Sequence, residues 1–287
     1  MSEPDTAIPS GIRLRLARAA VQVIADGVGA DMLHIKGDAV DATLRPHSRA
    51  GTDVDVLVRP GHVDALDRGL CAHGWTVYST FTNGSPFGHA QTYMHKLWGY
   101  VDVHRSFPGI GLDPSAAFDR CWLSRTTMGF AGRACPTPGR EEQAMVLLLN
   151  AARARSVGGE DVRTIWFDAD PEDRARLDAI VAEFEARTAF DAAIGELERH
   201  RGEPDYRLWK AVSQGGTRFE EWRGRFGLAR TLPERLALLA RALTVNVEHL
   251  GHKLGRPPRP FDVVKEFFAR PIRGLSELGF RRRGRRS

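Results

Sequence analysis

One segment constrains the fold of this chain more than any other: residues 52–58, Thr-Asp-Val-Asp-Val-Leu-Val, between Gly51 and Pro60. Valine-rich runs bounded by turn residues predict a β-strand. Because side chains alternate between the two faces of a strand, Asp53 and Asp55 share one face and the valines pack on the other. The segment therefore predicts a sheet with one apolar face and one acidic face.

The surrounding patterns predict a small α/β unit around this strand. Apolar residues at helical spacing predict a helix at 11–27, and residues 32–36 resemble a short buried strand. Gly37 ends that strand, and Asp38 is placed to cap a helix through about Leu44. The further predictions are a helix at 61–73, a strand at 75–81, and a hairpin of Ala90–Leu97 with Tyr100–Phe107.

From Glu141 onward the pattern changes to long helices, at about 141–155, 172–200 and 232–252, with almost no strand signal. We therefore predict an α+β protein in which a small mixed sheet is followed by a helical domain. The predicted division is an α/β domain at 1–138, a helical domain at 139–255, and a linker, short helix and Arg-rich tail at 256–287.

The positive charge of the chain is concentrated at its end. The net charge is +5, and residues 270–287 alone carry +6, which leaves −1 for the rest. Tails of this kind are usually solvated; the alternative is a contact with the phosphate backbone of a nucleic acid, for which composition gives weak support.

Several classes of protein find no support in the sequence. The longest apolar run, Ala144–Leu149, is too short to cross a bilayer, and the N-terminal stretch is interrupted by arginines, unlike a signal peptide. Three widely spaced cysteines without a CxxC pair argue against a disulfide framework or a structural zinc site. The motifs HExxH, GxSxG and GxxxxGK[ST] are absent. We expect a soluble, cytoplasmic protein, with His34 as a hydrogen-bonded core residue.

The acidic face of the 52–58 strand is a candidate metal site. Two carboxylates one strand step apart repel each other unless a cation lies between them, and two-metal phosphoryl transfer enzymes use this pattern. The spacing alone is weak evidence, because Asp168-Ala-Asp170 has it too. That second pair precedes Pro171 between helical segments, so we interpret it as a helix cap and loop.

Asp102 strengthens the hypothesis. In Tyr100-Val-Asp-Val-His104 the valines face one way, and Asp102 and His104 face the other. A third carboxylate on a nearby strand would bind one metal and draw the proton from an attacking hydroxyl. The alternative is an amphipathic edge strand with a solvated polar face. His104 could equally be a packing residue, a substrate contact, or a residue that hydrogen-bonds to a metal ligand.

A third element is the Lys36-Gly37 turn between a strand and a helix. Backbone N–H groups at such a turn can bind phosphate, and Lys36 adds a mobile positive charge. Taken alone the signal is poor, because a glycine at the end of a strand is more often a simple turn.

Together these motifs resemble a known pattern. His34-Ile-Lys-Gly37, Arg49-Ala-Gly-Thr-Asp-Val-Asp55 and Val101-Asp-Val-His104 follow one another as in the uncharacterised nucleotidyltransferase family of the polymerase-β-like nucleotidyltransferase superfamily. The resemblance covers about residues 10 to 110 and extends loosely to Arg163–Asp168.

The resemblance implies an enzyme that transfers a nucleoside monophosphate from an NTP such as ATP to a hydroxyl acceptor, with pyrophosphate leaving and two Mg²⁺ ions as cofactors. The residues it implies are the metal-binding and catalytic Asp53, Asp55 and Asp102, the nucleotide-binding Lys36, Gly37, Arg49 and Thr52, and His104 beside the substrate or behind the ligands. The acceptor stays open between a small molecule, an RNA end and a protein hydroxyl. The alternative is a catalytically silent nucleotide- or partner-binding protein of toxin–antitoxin-like type.

One position departs from the superfamily pattern, which usually has Gly-Ser or Gly-Gly where this chain has Gly37-Asp38. A carboxylate beside a triphosphate is repelled, so we expect Asp38 to cap the helix or to reach the metal.

Overall fold

The computed structural model describes residues 8–45, 51–82 and 87–228, together with scattered positions between 231 and 269. Its strands are β1 (Met32–Ile35), β2 (Asp53–Val58), β3 (Thr76–Ser79), β4 (Ala90–His95), β5 (Gly99–His104), β6 (Thr126–Phe130) and β7 (Arg133–Thr137). Its α-helices are α1 (Ser10–Gly27), α2 (Val63–Ala72), α3 (Pro114–Leu123), α4 (Arg140–Arg153), α5 (Glu160–Val162), α6 (Pro171–Glu183), α7 (Arg187–Ile194), α8 (Tyr206–Ser213) and α9 (Arg218–Leu228).

Five strands form one mixed sheet in the order β1-β2-β5-β4-β3. β2 and β5 are parallel, whereas the other neighbours in the sheet are antiparallel. The predicted hairpin is confirmed as the antiparallel pair β4–β5. A small mixed sheet followed by helices is the fold class that the sequence predicts.

The valine face of the sheet packs against α1 and α2. Val54, Val56 and Val58 are each 0% exposed and join one buried cluster with residues of both helices. This cluster confirms the predicted alternation of β2. It also fixes the opposite face as the side on which Asp53, Asp55 and Leu57 lie.

The helices that follow the sheet pack against that opposite face. Leu33 and Leu57 from the sheet share one buried cluster with Leu148 of α4 and Phe190 of α7. Segments on both sides of the predicted boundary at residue 138 therefore contribute to one apolar core.

The structure corrects two local predictions and adds two elements that the sequence did not predict. Gly37–Ala39 is a single 3-10 turn, not a helix to Leu44, and Asp38 lies inside that turn and does not cap it. The predicted helix at 172–200 is interrupted, because the chain turns with positive φ at Glu185 and again at Gly195. Helix α3 and the β6–β7 hairpin were not predicted, since their apolar residues follow neither period for long.

Some predictions fall on residues that the structure does not describe. Arg49 and the Arg-rich tail lie outside the described residues, as does most of the predicted helix at 232–252. Among the helices described, none has both the length and the apolar character that crossing a membrane requires.

The shared core makes a testable prediction. Leu33→Ala in β1 and Leu148→Ala in α4 should each lower the free energy of unfolding by about 2–5 kcal/mol, the usual range for buried leucines. Both should shift one common transition, followed by far-UV circular dichroism and by tryptophan fluorescence in urea.

Leu123→Ala is the matched control, because this side chain is 77% exposed and should change the stability by less than about 0.5 kcal/mol. Two separate transitions, each sensitive to only one core variant, would contradict the shared core.

Candidate metal centre

The parallel pairing of β2 and β5 places two carboxylates side by side. In this register Asp55 is the partner of Asp102. Both side chains lie on the face of the sheet opposite to the valines. Asp55, Asp102 and His104 each offer a ligand atom, and these atoms all lie within 4.8 Å of one another. The three residues form what we call the acidic cluster.

Within the acidic cluster, His104 contacts Asp55. Its side chain is buried, and Nε2 lies 2.8 Å from Asp55 Oδ1. Its ring stacks on Phe107 and lies 5.2 Å from the ring of His89, centroid to centroid. Burial lowers the pKa of His104 to about 4 against the opposing hydrogen bond to Asp55. The ring is therefore neutral at neutral pH, and Nε2–H donates to the carboxylate.

Lys36 reaches Asp55 because the backbone breaks the strand alternation. Ile35 is the partner of Asp55 across β1 and β2, so regular alternation would send Lys36 to the far face. Lys36 instead has a φ of +56°, and its Nζ lies 2.5 Å from Asp55 Oδ1. Burial by itself would raise the pKa of Asp55, but Lys36 and His104 outweigh it and hold that pKa well below its usual range.

The other two carboxylates lack such compensation. Burial raises the pKa of Asp102 to about 6, and the charges of Asp55 and Asp53 add to this against a hydrogen bond from Thr92. That bond runs from Thr92 Oγ1 to Asp102 Oδ1 and is 2.6 Å long. Burial and the charge of Asp55 also raise the pKa of Asp53. The three aspartates thus carry more negative charge than the nearby cationic side chains neutralise. A bound cation would reduce the repulsion between them.

A buried arginine holds the Lys36-Gly37-Asp38 turn in place. Arg18 of α1 is 1% exposed, and its Nε lies 2.7 Å from Asp38 Oδ1. Its Nη2 donates to the carbonyl oxygen of Lys36 at 3.0 Å. Asp38 is therefore neutralised by Arg18, neither capping a helix nor belonging to the acidic cluster. This explains how the turn accepts a carboxylate there.

Gly37 is required by the same contact. Its φ is +56°, and a Cβ at this position would lie 2.8 Å from Arg18 Nη2. A larger residue would displace the arginine or the turn.

The remaining predicted site residues are distributed around the acidic cluster. Asp53 is the next residue on the same face of β2 but lies outside the group that shares the 4.8 Å distance. Thr52 Oγ1 donates to Asp53 Oδ1 at 3.3 Å. Arg49 lies outside the described residues.

Sequence reasoning missed Arg18 and Thr92. Arg18 follows Leu14 by four residues and Ala17 by one, on the stripe of α1 that is buried. A charged residue on such a stripe was the signal that could have found it, because an unpaired charge is costly to bury. For Thr92 the sequence offers no signal, since its contact with Asp102 depends on the register of β4 and β5.

The residues present fit a divalent cation. Two carboxylates of adjacent strands are the oxygen ligands that Mg²⁺ favours, and Mg²⁺ commonly binds through one or two protein carboxylates. His104 holds Asp55 from behind, as residues that orient a metal ligand do, while its Nδ1 has no hydrogen-bond partner among the described residues. Without a bound cation, the Lys36 ammonium supplies the positive charge beside Asp55.

No family model and no curated protein sequence matches this chain. Among solved structures, one match is the lincosamide antibiotic adenylyltransferase LnuA bound to lincomycin, with 14% identity and a TM-score of 0.35 over 57% of this chain and 93% of that one. Another is an antigenic nucleotidyltransferase-like protein from Paracoccidioides brasiliensis, with 19% identity and a TM-score of 0.40 over 64% of this chain and 95% of that one. Both structural neighbours are named for the class that the sequence motifs resemble. Since both TM-scores are below 0.5, the function is inferred from the residues of the site.

His34 is a buried, hydrogen-bonded core residue, as the sequence predicts. Its Nε2 lies 3.1 Å from Gln22 Oε1, and its Nδ1 lies 3.5 Å from Arg18 Nη1. Burial, together with the Arg18 charge, lowers the pKa of His34 well below its ordinary value. The folded protein therefore holds this ring neutral while the unfolded chain protonates it near pH 6.5.

We expect this difference to make stability depend on pH. Below about pH 6.5, His34 binds a proton in the unfolded state but not in the folded state. His34 therefore lowers the free energy of unfolding by up to about 1.4 kcal/mol for each unit by which the pH falls further. In His34→Gln that contribution is absent, while every other titrating group is shared with the parent protein. Urea titrations at about pH 7 and about pH 5 should give a smaller loss of stability in the variant; equal losses would show that His34 is protonated in the fold.

Proposed function

We propose that this chain is a divalent-metal-dependent nucleotidyltransferase, which transfers a nucleoside monophosphate from an NTP to a hydroxyl acceptor and releases pyrophosphate. The observation that carries the proposal is the register pairing of Asp55 with Asp102 on parallel strands, beside the Lys36 ammonium. Carboxylates that can hold metal ions, with a lysine that can bind phosphate oxygens, are components that phosphoryl transfer to a hydroxyl uses.

In this proposal Asp53, Asp55 and Asp102 hold the metal, with Mg²⁺ as the favoured ion. When bound, a pair of such ions stabilises the charge that builds on the phosphoryl oxygens. His104 keeps Asp55 oriented through the 2.8 Å hydrogen bond.

Asp102 is the proposed general base. A base works best when its pKa lies near the working pH, and burial raises the pKa of Asp102 to about 6. The carboxylate is then mostly ionised at neutral pH and still a better proton acceptor than an ordinary aspartate. The Thr92 hydroxyl donates to Oδ1 of Asp102, and the remaining lone pairs of the carboxylate are free for a metal and for the acceptor hydroxyl.

Lys36, Gly37, Thr52 and Arg49 are the proposed contacts of the triphosphate. Lys36 would exchange its ion pair with Asp55 for a phosphate oxygen once a metal compensates the carboxylate. Gly37 would contribute a backbone N–H group from the turn. The role of Arg49 remains a prediction from the sequence motif.

A cavity beside the acidic cluster supports a small-molecule acceptor. Its volume is about 410 Å³, within the range of small-molecule pockets, and Phe87, His89, Phe107 and Trp209 are among its walls. His89 and Phe107 also contact His104, so the cavity and the acidic cluster share a wall. We propose that the acceptor binds here and presents its hydroxyl toward Asp102.

The proposal predicts that each proposed metal ligand is indispensable. Asp53→Asn, Asp55→Asn and Asp102→Asn should each reduce Mg²⁺-dependent NTP turnover by more than about 100-fold, since residues that merely orient metal ligands already cost 10–100-fold. The measurement is release of pyrophosphate from each of the four NTPs, with acceptor panels of small molecules, RNA and protein.

The second aspartate pair provides a matched control. Asp168→Asn makes the same chemical change in a pair of the same spacing, on an exposed residue away from the sheet. Its turnover should equal that of the parent protein. Full activity in the Asp53, Asp55 or Asp102 variant would overturn the proposed function.

A further inference from the structure

Arg153 lies in the last turn of α4, close enough to the acidic cluster for the charges of Asp55 and Asp102 to act on it. Its guanidinium carbon lies 5.9 Å from the centre of the Phe107 ring and 6.0 Å from that of Phe87. Lys36 Nζ lies 5.9 Å from the same Phe107 ring. Two cations from different parts of the chain therefore converge on one aromatic side chain beside the cluster.

The two cations differ in their partners. Lys36 is paired with Asp55. Nη1 of Arg153 is buried, and no described residue forms a hydrogen bond with it. Burial lowers the pKa of Arg153 even though the charges of Asp55 and Asp102 act in the opposite direction. A buried guanidinium nitrogen without a partner costs stability, so its retention calls for a ligand.

The position of Arg153 indicates which ligand fits. Phe87 and Phe107 both line the 410 Å³ cavity, so the guanidinium lies beside the proposed acceptor pocket, and the charges of Asp55 and Asp102 act on it. An apolar or cationic group would leave Nη1 without an acceptor. An oxyanion would pair with it, and the fork of the guanidinium matches phosphate oxygens.

Resting on the proposed function, we propose that Arg153 binds an oxygen of the phosphate chain of the NTP beside the acidic cluster. Arg153 is thus a substrate-binding residue contributed by the helical segment, and with Lys36 it gives the phosphates a second cationic contact beside Phe107. The helical segment then takes part in binding the nucleotide as well as in shaping the acceptor pocket.

The test uses the full chain and inorganic tripolyphosphate with Mg²⁺, a probe that does not depend on which base the enzyme prefers. Isothermal titration calorimetry should show that Arg153→Met binds it roughly 10- to 100-fold more weakly than the parent protein, as the loss of one charge-assisted pair predicts. Arg153→Lys keeps the charge and should lie between the two. Arg163→Gln removes the same charge from an exposed position and should bind like the parent protein.

A second measurement separates binding from a structural role. Because Met packs on the same aromatic rings without a buried charge, Arg153→Met should unfold in urea at the same or a higher midpoint. Destabilisation of this variant with unchanged affinity would show that Arg153 is structural. Parent-like affinity in both Arg153 variants, or no binding of tripolyphosphate by the parent protein, would also overturn the inference.

Turnover distinguishes this inference from the proposed function. If the parent protein turns over NTPs while Arg153→Met keeps its KM, the inference fails and the proposed function stands. If tripolyphosphate binding depends on Arg153 but no NTP is turned over with any acceptor, the phosphate site stands and the proposed function fails.

Discussion

The side chains of Asp55 and Asp102 are held opposite each other by the parallel pairing of β2 and β5, and the rest of the site is arranged around the charge that this creates. Carboxylates this close together, and largely shielded from water, cannot all stay ionised without a cation. Lys36 and His104 stabilise the charge of Asp55, whereas the pKa values of Asp53 and Asp102 are raised. This asymmetry gives one carboxylate that is firmly ionised and two whose charge a metal would stabilise.

Holding the lysine beside this charge has a structural cost that α1 offsets. Lys36 adopts a left-handed φ, which is unfavourable for a residue with a side chain by about 1–3 kcal/mol. Arg18 compensates by bonding the Lys36 carbonyl and the Asp38 carboxylate, and its own burial is possible because Asp38 and the ring of Phe130 face it. The β6–β7 hairpin contributes that ring, so an element far along the chain completes the support of the turn.

Features that depend on local pattern could be predicted from the sequence. The alternation of β2 placed Asp53 and Asp55 on one face, and the alternation of β5 placed Asp102 beside His104. The pairing partners could not be predicted, because nothing in either strand specifies that β2 lies parallel to β5 in the register that opposes Asp55 to Asp102. Three contacts join residues 19 to 46 positions apart in the sequence, and they form only when the segments pack together. These are Lys36 with Asp55, Arg18 with Asp38, and Arg153 with Phe107. Local sequence patterns therefore could not predict them.

If Asp55 and Asp102 together bind a divalent cation, diffraction from crystals grown with Mn²⁺ and a non-hydrolysable NTP should show an anomalous peak bound by both carboxylates. The Lys36 ammonium should then be withdrawn from Asp55 toward the phosphates. Saturating Mn²⁺ without a peak at these two side chains, or with Lys36 still paired to Asp55 and the ion bound elsewhere, would contradict this binding mode.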